Sequence, residues 1–210
     1  MDETLPASPI AMPAPTPDMP PAVQRRITIA AAHATENTAR IAARMERQAS
    51  LLNVLLRQCQ TPAASRRERL ARLRRLADAW AAIVAPDAAC GPSCAHCCHI
   101  PVPVTRIEAE DLARAAKRPP ATIDGTALPP IQAGYHSPCP FLRNGHCSVY
   151  ASRPLACRLH FSLDVDALLC ELVPNILVPV PYADAQQLHF LFAAALVRED
   201  VADIRNWFPD

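Results

Sequence analysis

Glycine is nearly absent from this chain. Its 210 residues include four, Gly91, Gly125, Gly134 and Gly145, each standing alone. No glycine-rich loop is available to cradle a phosphate, so nucleotide motifs that rely on close backbone approach are excluded. Aromatic residues make up 5% of the chain, and none interleaves the arginines at 66–75, as a nucleic-acid stacking platform would require. The net charge of +1 provides no field of one sign to draw a polyanion or a membrane surface. The apolar run FLFAAALV at 190–197 is far short of the ~20 residues of a membrane helix. Asp2 and Glu3 follow Met1 where an export signal would carry a basic n-region and an apolar h-region. A cytoplasmic location is expected, with no nucleic-acid and no membrane partner.

Proline, by contrast, is abundant at 23 residues, seven of them within the first 21. That composition cannot bury a core, and residues 1–22 are expected to be a disordered, polyproline-like tail. From 24 to 60 the positions Ile27, Ala31, Ala34, Thr38, Ile41, Met45, Gln48, Leu52, Leu55 and Cys59 alternate in steps of four and three, a helical seam of heptad type. The spacing admits a coiled-coil homodimer. The shallow, alanine-rich seam, interrupted by Thr38 and Gln48, instead favours packing on the chain's own domain. Ser65-x-x-Glu68 is a capping box that starts a second helix to about Ala85. Residues 23–86 are therefore expected to form a helical hairpin, whose surface is the candidate site for a protein partner.

A second capping box, Thr105-x-x-Glu108, predicts a helix to about Arg118, stopped by Pro119-Pro120. Another helix is expected over Asp184–Asp200. Strand signal is weak except at Asn144-Gly145, the preferred pair for a type I′ turn, which predicts a hairpin over 141–148 with Arg143 opposite His146 and Leu142 opposite Cys147. The fold class is mostly α: the helical hairpin, then a loop-rich cysteine module with one short β-hairpin and a C-terminal helix over 87–210.

Seven of the nine cysteines fall between 90 and 157. In a reducing compartment such clustering favours metal or redox chemistry over structural disulfides. Cys90, Cys94, Cys97 and Cys98 are spaced C-x3-C-x2-C-C. If 92–99 is helical, with Pro92 in its first turn and Pro101 ending it, Cys94, Cys97 and Cys98 share one face. Cys139 and Cys147 bracket the predicted hairpin, as in a metal knuckle, and Cys157 follows on a turn or short helix opened by Pro154. Seven thiols exceed the four that one zinc or one [4Fe–4S] cluster takes. Cys97 and Cys98 point about 100° apart on a helix, which strains a single ion. A polynuclear iron–sulfur cluster or two metals side by side suit that pair better, with zinc the alternative. His96, His99, His146 and His160 stand close enough in sequence to complete a second site. Cys59 and Cys170 lie outside the pattern and are expected to be plain buried thiols.

This pattern resembles the YkgJ-type cysteine-cluster proteins, the zinc- or iron-chelating family named for a C-x-x-C-x-x-C-C signature. The likeness rests on Cys90, Cys94, Cys97 and Cys98, followed by CPFLRNGHCSVYASRPLACR at 139–158 with Cys139, Gly145, Cys147, Tyr150, Arg153, Pro154, Cys157 and Arg158. It covers about residues 88–165 and implies metal binding through the seven cysteines. Arg153 and Arg158 are expected beside the cofactor, where guanidinium groups offset thiolate charge; pairing with Asp164, Asp166 or a helix end is the plainer alternative. The C-x3-C-x2-C spacing also matches radical S-adenosylmethionine enzymes, but 113 residues after Cys97 with little strand signal exclude their barrel. A weaker resemblance to flagellin lysine methylases hints at methyl transfer. No general base or nucleophile constellation accompanies it. The expected roles are redox, sensing or accessory metal binding, with a structural zinc module for protein interaction as the alternative.

Overall fold

The heptad seam folds as two helices. In the computed structural model, which describes residues 12–63, 65–91, 94–127, 137–171 and 173–209, α1 spans Pro21–Arg47 and α2 spans Ala49–Gln60. The break falls at Gln48, with φ −105° and ψ 9°, where the seam offers a polar side chain and no apolar surface to bury. Thr38, the other polar position, satisfies its hydroxyl on Ala34 O at 2.8 Å and leaves α1 intact. Val23, Ile27, Ala30, Ala34 and Ile41 are buried along one side of α1, so the seam packs on the protein's own core. The prolines within 1–11, the helix-starting Pro92 and residues 128–136 of the proline-containing connection lie outside the described residues.

Helix α3, Arg66–Val84, begins where Ser65 Oγ accepts the Glu68 amide at 3.1 Å. It is the central element. Leu73, Ala77, Trp80 and Ile83 share one buried cluster with Ala34 and Ile41 of α1 and with Ile107, Leu155 and Phe161. One apolar core therefore runs from the helical hairpin into the cysteine module. The arginines at the start of α3 pair with acids, Arg66 with Glu199 and Arg74 with Asp111.

Helix α4, Arg106–Ala116, ends as expected just before the proline pair, with Lys117 in the left-handed region at φ 53°. Glu108 is buried at 3% exposure, and its carboxylate spans two elements. Oε2 accepts from the Thr105 amide at 3.0 Å and hydroxyl at 2.7 Å, and Oε1 accepts the Leu155 amide at 2.7 Å. That last amide opens α5, Leu155–Arg158, the short helix that carries Cys157.

The structure adds a sheet that the sequence pattern does not announce. Strands β1 (Pro103–Thr105), β2 (Thr126–Ala127) and β5 (Val201–Asp203) align in the order β1-β5-β2, with β5 antiparallel to β1 and parallel to β2. Strands of two or three residues are too short to show alternation. The expected hairpin is present as β3 (Leu142–Arg143) and β4 (His146–Cys147). Helix α6 is shorter than expected, Gln186–Ala195, because the chain turns after Leu196 to enter β5. A last helix, α7 (Ile204–Trp207), follows, and Trp207 Nε1 donates to Val104 O at 2.8 Å. Trp207, Phe208, Phe141 and Leu112 build a second apolar cluster behind the cysteines. No helix among the described residues is long and apolar enough to cross a membrane.

Replacing Glu108 with alanine strands the buried Leu155 amide and uncaps α4. We expect Glu108→Ala to cost about 3 kcal/mol from a lost cap and an unsatisfied buried donor, read as a lower urea midpoint at unchanged slope. An unshifted midpoint would refute the bridging role.

Candidate metal centre

Asn144 and Gly145 adopt φ 51° and 77°, the positive pair that a type I′ turn demands. The register is the one the turn predicts, Leu142 opposite Cys147 and Arg143 opposite His146. This turn brings the two ends of the segment together and so fixes Cys139 and Cys147. Each sulfur faces a backbone amide two residues further on, that of Phe141 for Cys139 and that of Val149 for Cys147. Amides aimed at sulfur stabilise thiolate and are a tuning device of sulfur-ligated metals.

The C-x2-C-C segment is not the α-helix expected over 92–99. It forms one 3₁₀ turn, His96–His99, with Cys94 outside it. The carbonyls at the end of the turn are bonded to distant donors. Cys98 O accepts the Cys139 amide at 2.7 Å and Arg205 Nη2 at 3.0 Å, and Ile100 O accepts Arg205 Nη1 at 3.2 Å. Arg205 on α7 thus ties down the cysteine pair from outside the motif. Its positive charge also acts on the Cys98 and Cys139 thiols. Sequence reasoning missed this residue, because nothing in spacing links position 205 to position 98.

All seven cysteines named as ligands line one cavity of about 990 Å³. Within it Cys98, Cys139, Cys147 and Cys157 form the inner group. Burial pushes the Cys139 thiol up to about 11, with Cys98 and Cys147 adding to the shift. Burial likewise raises Cys157, whose thiol neighbours are Cys139, Cys98 and Cys147. The Cys98 thiol is raised by its hydrogen bond with Cys97 and then by burial. Cys90 and Cys94 are neighbours in the same cavity. Cys170, expected to be a plain buried thiol, lies next to that pair, and burial pushes it up to about 11. Cys59 stays apart, half-buried against the helical core.

The two arginines part company. Arg153 lines the cavity, lies 4.2 Å over the Tyr150 ring, and its charge favours the thiolates of Cys90 and Cys147. Its Nε is buried and has no hydrogen-bond partner among the described residues. Arg158 is buried and bonds to Asp78, to Ala151 O and to Arg153 O, bracing α5 against α3. Asp78 was not among its expected acidic partners. His146 and His160 reach the cavity wall. Burial lowers His160 to about 4, so the ring is neutral at pH 7, and it packs on Tyr182 at 4.3 Å.

Among the described residues, no three cysteine, histidine, aspartate or glutamate side chains converge on one ion-sized point. The donor set still fits iron or zinc: thiols from three separate segments, amides directed at two sulfurs, and a cationic Arg153 with an unspent donor. Removing Arg205 leaves the Cys98 carbonyl held by the Cys139 amide alone. We expect Arg205→Ala to weaken metal retention by about tenfold or more, the usual cost of losing an outer-shell partner, measured by competition with a chromogenic chelator. Retention equal to wild type would contradict the tether.

No curated protein and no solved structure matches the chain. Residues 89–171 match the model of the CxxCxxCC family, described as a "putative zinc- or iron-chelating domain". The matched segment takes in Cys90, Cys94, Cys97 and Cys98, the hairpin cysteines, Cys157 and Cys170. The likeness is confined to residues 89–171, which carry every cysteine of the chain except Cys59.

Proposed function

We propose that this chain is a metal-binding protein of the cytoplasm that carries iron in an iron–sulfur cluster and serves electron transfer or redox sensing. The observation that carries the reading is the inner group of Cys98, Cys139, Cys147 and Cys157, with backbone amides facing the Cys139 and Cys147 sulfurs. Four thiolates are the ligand set of a [4Fe–4S] cluster. A polynuclear cluster also takes its thiolates at separate corners. A tetrahedral zinc draws four sulfurs to about 2.3 Å from one point, and no such point exists among the described residues.

The chain's own contribution is positional and electrostatic. The hairpin, the 3₁₀ turn and α5 present the thiols. Arg153 and Arg205 offset the negative charge of the ligated state. Buried Phe141 and Val149 supply apolar wall to the cavity. Zinc remains the second reading, favoured by the hairpin itself, since a tight turn with an amide directed at each flanking sulfur equally suits a knuckle that ties a fold together.

Full-length protein purified without oxygen separates the two. Brown protein with iron and sulfide in cluster proportion supports the cluster; colourless protein with stoichiometric zinc, unfolded by chelator, supports the structural module. Protein with neither iron nor zinc would sink both. Either metal must displace thiol protons, because burial holds these groups protonated at neutral pH. Zinc titration calorimetry of the metal-free protein in two buffers of different ionisation enthalpy should show net proton release, with apparent affinity rising with pH.

A further inference from the structure

We propose that the large cavity also binds a small organic acid, with its carboxylate on Arg153 and its apolar body along α3. The inference concerns the walls that carry no thiol and does not depend on which metal the cysteines take.

The charges in those walls single out Arg153. Apart from cysteines and histidines, the residues lining the cavity of about 990 Å³ include two charged side chains, Asp78 and Arg153. Asp78 is already matched, because Arg158 donates to it. Arg153 is not. Among the described residues no carboxylate pairs with its guanidinium, and its buried Nε has no acceptor. The guanidinium lies 4.2 Å over the Tyr150 ring. Stacking uses the flat face of the group and leaves the N–H donors, which lie in its plane, available. Arg153 acts on the Cys90 and Cys147 thiols through charge, without a hydrogen bond, so those thiols take none of its donors. A carboxylate, with two oxygens matched to the guanidinium fork, is the acceptor this group is built to receive.

The apolar part of the site runs alongside. The Arg153 carbonyl accepts Arg158 Nε at 2.9 Å, and Arg158 bonds Asp78 on α3. From Asp78 the wall continues through Ala81, Ala82 and Ala85. The chain then reaches Cys90, a neighbour of the Arg153 charge. Arg153 is therefore tied to one end of this alanine wall and acts on a thiol beyond the other. Pro154 and Phe161 add further apolar lining. Short alanine side chains leave space that larger residues would fill, and the volume lies within the about 300–1,000 Å³ typical of small-molecule sites.

The lining also sets the charge of the ligand. Burial keeps His160 and His189 neutral at pH 7, and no second arginine or lysine lines the cavity. One guanidinium matches one negative charge. A phosphate dianion would bring charge that nothing in the apolar wall offsets, whereas a monocarboxylate with an aliphatic or aromatic body meets both halves of the site.

Titration calorimetry of full-length protein purified without oxygen tests this, with hexanoate and benzoate as probes and hexylamine and inorganic phosphate as controls. Metal per chain and helicity are measured on the same samples. At least one acid should bind at one site per chain, and neither control should displace it. Arg153→Met should weaken binding by about tenfold or more, the usual worth of a charge-assisted hydrogen bond. Arg153→Lys keeps the charge but loses the fork, and should fall between. Ala82→Phe fills the wall from an exposed position, so it should weaken the acid and leave metal content unchanged. If Arg153→Met fails to fold, Arg153→Lys and Ala82→Phe carry the comparison. No binding of either acid, unaltered affinity in the folded Arg153 variants, or equal binding of phosphate overturns the site, whatever the metal content. Metal-free protein that still binds the acid upholds the site and overturns the metal-binding reading alone.

Discussion

The hydrogen bond from the Cys139 amide to the Cys98 carbonyl joins the two halves of the cysteine module. Without it the C-x2-C-C turn and the hairpin would be separate loops, each carrying thiols with no fixed relation. Because Arg205 donates to that same carbonyl, the junction is also fastened to α7. The bond is one polar contact, worth about 1 kcal/mol in isolation. Its weight comes from what surrounds it: Phe141, Phe208 and Trp207 pack behind it and exclude competing water.

Much of this architecture is written locally. Asn144-Gly145 fixes the hairpin register because two positive φ values are hard for any other residue pair. Ser65 and Thr105 mark helix starts because their side chains answer to amides or acids within one turn. The rest is decided at a distance. The heptad pattern cannot say that Gln48 breaks the helix, since helix propensity across that position is adequate and only packing selects the bend. The three-stranded sheet depends on pairing between residues roughly a hundred positions apart, and strands that short carry no period. The 3₁₀ turn takes its place in the fold from distant donors, Cys139 and Arg205, which bond its Cys98 carbonyl and which no spacing reports.

The candidate site follows the same division. All seven cysteines named from spacing line one cavity, since turn chemistry and short intervals constrain them. The place of Cys170 was not legible because twelve residues separate it from Cys157, and its return to Cys90 is set by Ser162 and α1. Arg153 and Arg158 differ by five positions yet serve different ends. One lies in the cavity wall and the other, paired with Asp78, braces helices. Arg153 precedes α5 whereas Arg158 ends it, and no composition rule reports the difference.

Strand β5 is the middle of its sheet, so β1 and β2 have no partner until residues 201–203 exist. Arg205 emerges two residues later. During synthesis every cysteine leaves the ribosome before the segment that pins the Cys98 loop. Until then neither β5 nor Arg205 is there to hold the loop that carries Cys98. Completion of β5 and α7 supplies the last contacts of the Cys98 loop, so the tether follows in the chain every thiol it serves.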